Sequence, residues 1–198
     1  MEIILATRNP SKADQIKGFF VDSPFTIKTL AEANIIGDIV QDGETLQENS
    51  LKKAKYALHN SNRRCITVAD DTGLFIEALN GEPGIKAARW AGESATTEEI
   101  MNYCLERLRG IKDRSATFET VVAIVMPNGQ KYFFSGKVRG QLLETPRTKF
   151  QPGMPYSSLF VPEGSNLCWA EMTIEEENKI SHRGKAFQQA RLFLENQL

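Results

Sequence analysis

The chain has 198 residues, 41% of them hydrophobic and 25% charged, with a formal net charge of −1. These proportions fit a soluble globular protein, and we expect a single domain over 1–198 with two lobes around a groove. Near-neutral charge excludes a broad nucleic-acid-binding or anionic-membrane surface, since either needs a dense basic patch.

Residues 2 to 6 form an apolar run that reads as a buried strand. Asn9-Pro10 marks a turn, and Ile16, Phe19 and Phe20 supply the stripe of a helix over about 11 to 21. Residues 25 to 30 read as a second strand, and Gly37 to Gly43 as a polar, acidic loop. Leu46, Leu51, Ala54 and Leu58 recur at near-helical spacing, which predicts a helix over 45 to 60. A short strand, Cys65 to Ala69, follows. Leu74 to Leu79 is apolar and fits a strand or a turn of helix, and Gly81, Pro83 and Gly84 enforce a loop. Thr96-Thr97-Glu98-Glu99 opens a helix with a threonine cap and early acids.

From 115 the period changes. Phe118 to Met126 and Lys131 to Val138 flank Pro127-Asn128-Gly129, a hairpin signal. Residues 145 to 166 are rich in proline and glycine, and a last helix spans about 183 to 196. These elements predict an α/β fold built on a mixed sheet.

The three cysteines, Cys65, Cys104 and Cys168, form no metal-binding or disulfide spacing. Reduced, buried thiols are expected, which points to a cytoplasmic location. The amino-terminal apolar run is too short for a signal peptide, and no segment is long enough to cross a bilayer.

Four stretches could carry chemistry. Thr7-Arg8-Asn9-Pro10-Ser11-Lys12 is a strand-to-helix turn that reads either as an anion site of free backbone N–H groups and a lysine, without P-loop glycines, or as a plain proline-started helix with a surface lysine. Lys53 lies on the helix that opens with Glu-Thr-Leu-Gln-Glu-Asn, where it faces either the same crevice or solvent as part of a charged helix face. Asp70-Asp71-Thr72-Gly73 places two carboxylates at the predicted end of a strand, where open α/β sheets keep their ligand crevice. Adjacent side chains on an extended chain face opposite sides, so one aspartate is expected to hold a metal or a helix while the other activates water. By composition alone the same four residues read as a turn. Ser181-His182-Arg183-Gly184 offers donors for a carbonyl or phosphate, or a plain helix cap beside an arginine.

In this order and spacing, the four stretches resemble the inosine triphosphate pyrophosphatase family, whose members act on non-standard purine nucleotides. Leu79-Asn80-Gly81-Glu82-Pro83-Gly84 and Ala88-Arg89-Trp90-Ala91-Gly92 extend the resemblance across nearly the whole chain. It implies a two-lobed α/β fold, a homodimer, and Mg²⁺-dependent hydrolysis of a nucleoside triphosphate to monophosphate and pyrophosphate. It assigns catalysis and the metal to Asp71 and Asp70. Thr7, Asn9, Lys12 and Lys53 would hold the triphosphate, Thr72 would contact the nucleotide, His182 and Arg183 would read the purine edge, and Ser181 would also bind substrate.

The chain departs from the family pattern at three places. Gln41 and Val40 stand where the family carries a metal-binding glutamate; Asp38, Asp42 or Glu44 are the candidate replacements. The base-binding loop reads Phe150 to Phe160 and has lost its aspartate, leaving Phe150 or Tyr156 to stack on a base. Glu177 occupies the place of a nucleotide-contacting lysine, so a donor becomes an acceptor. These changes predict an active hydrolase with altered base preference. The alternative is a nucleotide-binding regulatory protein that has lost turnover.

Overall fold

Seven strands form one mixed, curled sheet in a computed structural model that describes residues 1–37, 39–62 and 64–197. The first strand, β1 (Glu2–Leu5), runs parallel to both β2 (Thr26–Thr29) and β3 (Ile66–Ile76). It is covered on both faces, which is why its sequence is a continuous apolar run rather than an alternation. β4 is the short segment Pro83–Gly84 and pairs with β3. β5 (Ser115–Val125) and β6 (Lys131–Leu142) form the long hairpin, with Gly129 supplying the positive φ of its turn. β7 (Phe160–Pro162) closes the far edge, giving the order β2-β1-β3-β5-β6-β7 with β4 also against β3.

Each helix begins where a side chain can satisfy the free N–H groups of its first turn. Asn9 caps α1 (Pro10–Gly18), and Thr45 caps α2 (Leu46–Asn60). Reciprocal boxes start α3 (Thr97–Arg107) from Thr96 and Glu99, and α4 (Ile174–Ile180) from Thr173 and Glu176. Ser181 ends α4 and caps α5 (His182–Glu195).

The two-residue alternation of β3 and β5 separates two cores. Ile66, Val68, Val122 and Ile124 pack with Ile16 of α1 and Phe187 of α5. On the opposite face Ala69, Ala123 and Val125 pack with Ala54, Ala57 and Leu58 of α2. Farther along the same strands Leu74, Ile76 and Phe118 join Ile100 and Cys104 of α3 in the core of the second lobe.

Two expectations are corrected. The runs predicted at 65–69 and 74–79 are one strand, so the two aspartates lie within it and not at its end or in a turn. The pairing with β5 is continuous from Thr67 to Ile76, and this long-range ladder overrides the local turn propensity of Asp-Asp-Thr-Gly. The helix α4 was missed, although Thr173-Ile174-Glu175-Glu176 carries a capping-box spacing that signals it.

Gly184 of α5 lies hard against α4: a Cβ there would lie 1.9 Å from the carbonyl oxygen of Asn178. Gly184→Ala is expected to destabilise the protein by roughly 1–3 kcal/mol, because the backbone must shift to admit the methyl. A denaturant midpoint equal to wild type would show that the helices do not meet this tightly.

Candidate active site

One edge of β3 is covered by β5 throughout, while the other pairs with β1 only as far as Val68 and with β4 only from Leu74. Residues 69 to 73 therefore border a gap in the sheet, just beyond the carboxyl end of β1. Asp70, Asp71 and Thr72 lie along it, and the amino terminus of α1 arrives there because the turn after β1 is short. The crevice is where the parallel part of the sheet puts it, even though the strand itself continues. Because the flank is open, groups from both faces of β3 reach one crevice.

The two aspartates do face opposite sides. Asp70, 2% exposed, turns toward α1 and α5, where its Oδ2 lies 3.4 Å from Lys12 Nζ and 3.5 Å from Arg183 Nε. Burial works to raise its pKa, but the charges of Lys12, Arg183 and Lys53 prevail and hold the carboxyl well below the usual carboxylate range. Arg183 also donates through Nη1 to Gln15 Oε1 at 2.5 Å. Asp70 thus ties two helices to the sheet.

Asp71, 7% exposed, turns toward α2. Its Oδ1 accepts from Lys53 Nζ at 2.7 Å, while its Oδ2 is buried and has no hydrogen-bond partner among the described residues. A buried carboxylate oxygen left without a donor is costly and calls for a ligand. Lys53 also donates to Gln41 Oε1 at 3.3 Å. The loop carrying Gln41 is pinned by Arg89, which donates to the Gln41 carbonyl at 2.9 Å, and by Arg8, which donates to the Gly37 carbonyl. Burial lowers the pKa of Lys12, and Arg183 and Lys53 lower it further against the opposing pull of Asp70. The mutual influence of these groups places three cations and two carboxylates around one small volume.

Next to this cluster opens a largely apolar pocket, walled by Ala87, Phe118, Met154, Tyr156 and Trp169 and rimmed by Lys12, Thr72, Glu177, His182 and Arg183. A hydroxyl relay links it to Asp70. Thr72 Oγ1 lies 3.3 Å from Asp70 Oδ2 and 2.7 Å from Thr120 Oγ1, and Thr120 Oγ1 lies 2.9 Å from His182 Nδ1. Ionised Asp70 can only accept, so Thr72 donates to it, Thr120 donates to Thr72, and His182 Nδ1–H donates to Thr120. Burial, with Arg183 and Lys12, holds the His182 pKa well below its ordinary value, so the ring is neutral. The relay therefore leaves Nε2 of His182 as an acceptor. Burial raises the pKa of Glu177, against the pull of Arg183.

The remaining candidates fall as follows. Thr7 Oγ1 accepts from the Asn9 backbone N–H at 3.3 Å; Asn9 caps Lys12 N and donates to the Gly153 carbonyl at 2.9 Å, joining the first turn to the 150–160 loop. Ser181 is fully buried as the cap of α5, its hydroxyl oxygen accepts from Gly184 N, and it does not line the pocket. Tyr156 walls the pocket but spends its hydroxyl on the Ala87 carbonyl; Phe150 packs on the core of the second lobe and does not line the pocket. Asp70, expected to share catalysis and metal with Asp71, is engaged at Oδ2 by Lys12, Arg183 and Thr72, while Asp71, paired with Lys53 through Oδ1, keeps Oδ2 without a partner among the described residues. Among the candidate replacements for the metal-binding glutamate, Asp42 is exposed and paired with Lys52 at 2.6 Å, Glu44 is exposed, and Asp38 lies outside the described residues. Gln41 itself points its amide oxygen into the cluster.

Sequence reasoning missed Gln15, Thr120 and Trp169. Nothing in the sequence separates Thr120 from other strand threonines; it matters because register sets it opposite Thr72.

Comparison with known proteins bears on the fold and the family. The sequence pattern of the Ham1 family matches residues 3–193. A dITP/XTP pyrophosphatase of Thermoanaerobacter sp. is 40% identical over 196 residues, covering 98% of this chain and 96% of the relative. One from Flavobacterium johnsoniae is 38% identical over 96% of this chain and 95% of its own length. Among solved structures, the Staphylococcus aureus Ham1 protein superposes with a TM-score of 0.83 at 31% identity over all of both chains. A HAM1 protein from Coxiella burnetii gives 0.84 at 33% identity over 98% of each.

Proposed function

The chain belongs to the Ham1 family, and from that premise we propose that it is a pyrophosphatase acting on purine (d)NTPs, releasing the (d)NMP and pyrophosphate. The observation that carries this reading is the unpartnered Oδ2 of Asp71, buried at the foot of a crevice that holds Lys12, Lys53 and Arg183. The dITP/XTP pyrophosphatases among its relatives favour this reading over a regulatory nucleotide binder without turnover.

The backbone N–H groups at the start of α1, with Thr7 and Asn9 shaping the turn, and the ammonium groups of Lys12 and Lys53 receive the phosphate tail. Asp71 orients a water toward the α-phosphorus and takes its proton as the new P–O bond forms. The bond to the β-phosphoryl oxygen breaks, and the cations hold the departing pyrophosphate. Phe118, Met154 and Tyr156 enclose the base; Thr72, Glu177, His182 and Arg183 meet its polar edge.

The donor set fits Mg²⁺. Among the described residues no three acidic, histidine or cysteine side chains gather into a cation site, and Mg²⁺ commonly takes one or two carboxylates and draws its other ligands from water and phosphate. Asp71 Oδ2, with the Gln41 amide oxygen nearby, would hold it. The chemistry a bound Mg²⁺ supplies there is neutralisation of phosphate charge.

We further read residues 1–198 as one such unit, homodimeric as the family resemblance implies, and cytoplasmic, a location supported by three free, buried cysteines. Among the described residues no helix is long and apolar enough to cross a membrane. A panel of ITP, XTP, dATP and dUTP assayed with Mg²⁺ for pyrophosphate tests the activity. Release from at least one purine triphosphate is expected; orthophosphate alone, or no release, would overturn the assignment. The panel also tests the altered base preference that Glu177 and the 150–160 loop predict, which strong preference for ITP would refute.

A further inference from the structure

In the crevice one ammonium stands between the two side chains that would hold Mg²⁺. Lys53 Nζ lies 2.7 Å from Asp71 Oδ1 and 3.3 Å from Gln41 Oε1 and bridges them. The fold holds this bridge in place. Asp71 is fixed by the ladder between β3 and β5, Lys53 projects from α2, and the two are 7% and 9% exposed. The loop that carries Gln41 is tied to the same helix. Asn49 Oδ1 accepts from Gly43 N at 2.9 Å, and Lys52 pairs with Asp42 at 2.6 Å.

An ammonium and Mg²⁺ compete for the same oxygen lone pairs, the one as a hydrogen-bond donor and the other as a hard cation. They also repel each other, and a divalent ion on Asp71 Oδ2 would lie across a single carboxyl group from the ammonium on Oδ1. Lys12 and Arg183 bring further positive charge to this volume, which the two aspartates do not outweigh. The free crevice therefore disfavours a bare divalent cation. A triphosphate reverses the balance. Its oxygens attract Lys53, whose flexible four-carbon stem lets the ammonium move, and they supply the ligands that Mg²⁺ takes beside one or two carboxylates.

We propose that Lys53 keeps the cation's place in the free protein, so that the crevice takes Mg²⁺ only together with the triphosphate. This rests on the reading of the crevice as a nucleotide site and adds to it how the metal is admitted. Lys53 has two positions: on Asp71 before the nucleotide arrives, and on phosphate afterwards.

The test counts bound cation and needs no turnover. Mn²⁺ stands in for Mg²⁺ because both suit octahedral oxygen ligands, and unbound Mn²⁺ is read directly by electron paramagnetic resonance. Wild type, Lys53→Met, Lys53→Gln and Lys12→Met are titrated without nucleotide, once circular dichroism has shown them folded. Lys53→Gln keeps a neutral donor for Asp71, so it carries the test if Lys53→Met does not fold. Each folded Lys53 variant is expected to bind Mn²⁺ about tenfold or more tightly than wild type. Lys12→Met removes an equal charge that lies on Asp70 instead, and its gain is expected to be about threefold at most. No gain in the Lys53 variants overturns the proposal. So does an equal gain in Lys12→Met, which marks a general field and not a held place.

A second titration, by calorimetry, adds the α,β-methylene analogues of ITP and ATP to wild type in Mg²⁺ or in EDTA. The proposed cleavage cannot break either analogue. At least one is expected to bind about tenfold or more tightly with Mg²⁺. Equal affinity in the two buffers overturns the proposal and leaves the phosphate site standing. Binding of neither analogue overturns it together with the reading of the crevice as a nucleotide site.

Discussion

Asp71→Asn is expected to lower the rate of pyrophosphate release by about 10²–10⁴-fold while the protein remains folded. The amide is nearly isosteric, and its oxygen can still accept from Lys53 Nζ, which now lies 2.7 Å from Oδ1. The other position becomes an NH₂, which can neither take a proton from water nor hold a cation. What is lost is the function of Asp71 Oδ2, a buried carboxylate oxygen without a hydrogen-bond partner among the described residues. The substitution also leaves the Lys53 ammonium, 9% exposed, without a formal counter-charge, so some loss of stability accompanies the loss of rate. The two are separated by measuring kcat at a temperature where circular dichroism shows both proteins folded. A variant that keeps more than about a tenth of the wild-type kcat would remove Asp71 from the chemistry.

Arg183→Ala is expected to cost on the order of 3–5 kcal/mol of stability, because it strips one partner from a buried charge cluster. Arg183 is 2% exposed and reaches both Asp70 and Gln15, so its loss leaves a carboxylate and an amide oxygen facing a void. The pH dependence follows from the depressed pKa of Asp70. A carboxyl held below its unfolded value of about 3.9 contributes stability that is complete above that pH and fades as pH falls toward the folded value. With Arg183 gone, the folded value rises toward the unfolded one, and the variant should begin to unfold at higher pH than wild type. Thermal melts at neutral pH and an acid titration followed by circular dichroism give both numbers. An unchanged acid transition would mean that Asp70 does not depend on Arg183. The outcome also bears on assignment: a large stability loss from Arg183→Ala and a large rate loss from Asp71→Asn would separate the adjacent aspartates by role.

That separation of roles was legible in the sequence only as an alternation. Two neighbouring residues on a strand must face opposite sides, and this much follows from backbone geometry alone. Which side meets which helix does not follow. Lys12 lies 58 positions from Asp70, Arg183 lies 113 positions away, and Lys53 lies 18 from Asp71. The start of α1 was readable because Asn9-Pro10 is a local cap signal, and the cap forms as expected. The start of α4 was equally readable from Thr173 and Glu176 and was passed over. Asp-Asp-Thr-Gly misled as a turn because its propensity is local, whereas the ladder to β5 that keeps it extended comes from residues about fifty positions later.

By itself the sequence determined the capped turn after β1, the adjacent carboxylates and the hairpin, each of which rests on residues within a few positions of one another, and the family, through the order and spacing of such stretches along the chain. Only the tertiary structure decided that the pairing of β3 with β1 stops at Val68 and opens a gap beside the aspartates, that Ser181 is spent as a cap, that Thr120 joins Thr72 to His182, and that Trp169 lines the pocket. The reason is physical: a motif is written in local backbone geometry, but a crevice exists only where distant segments fail to meet.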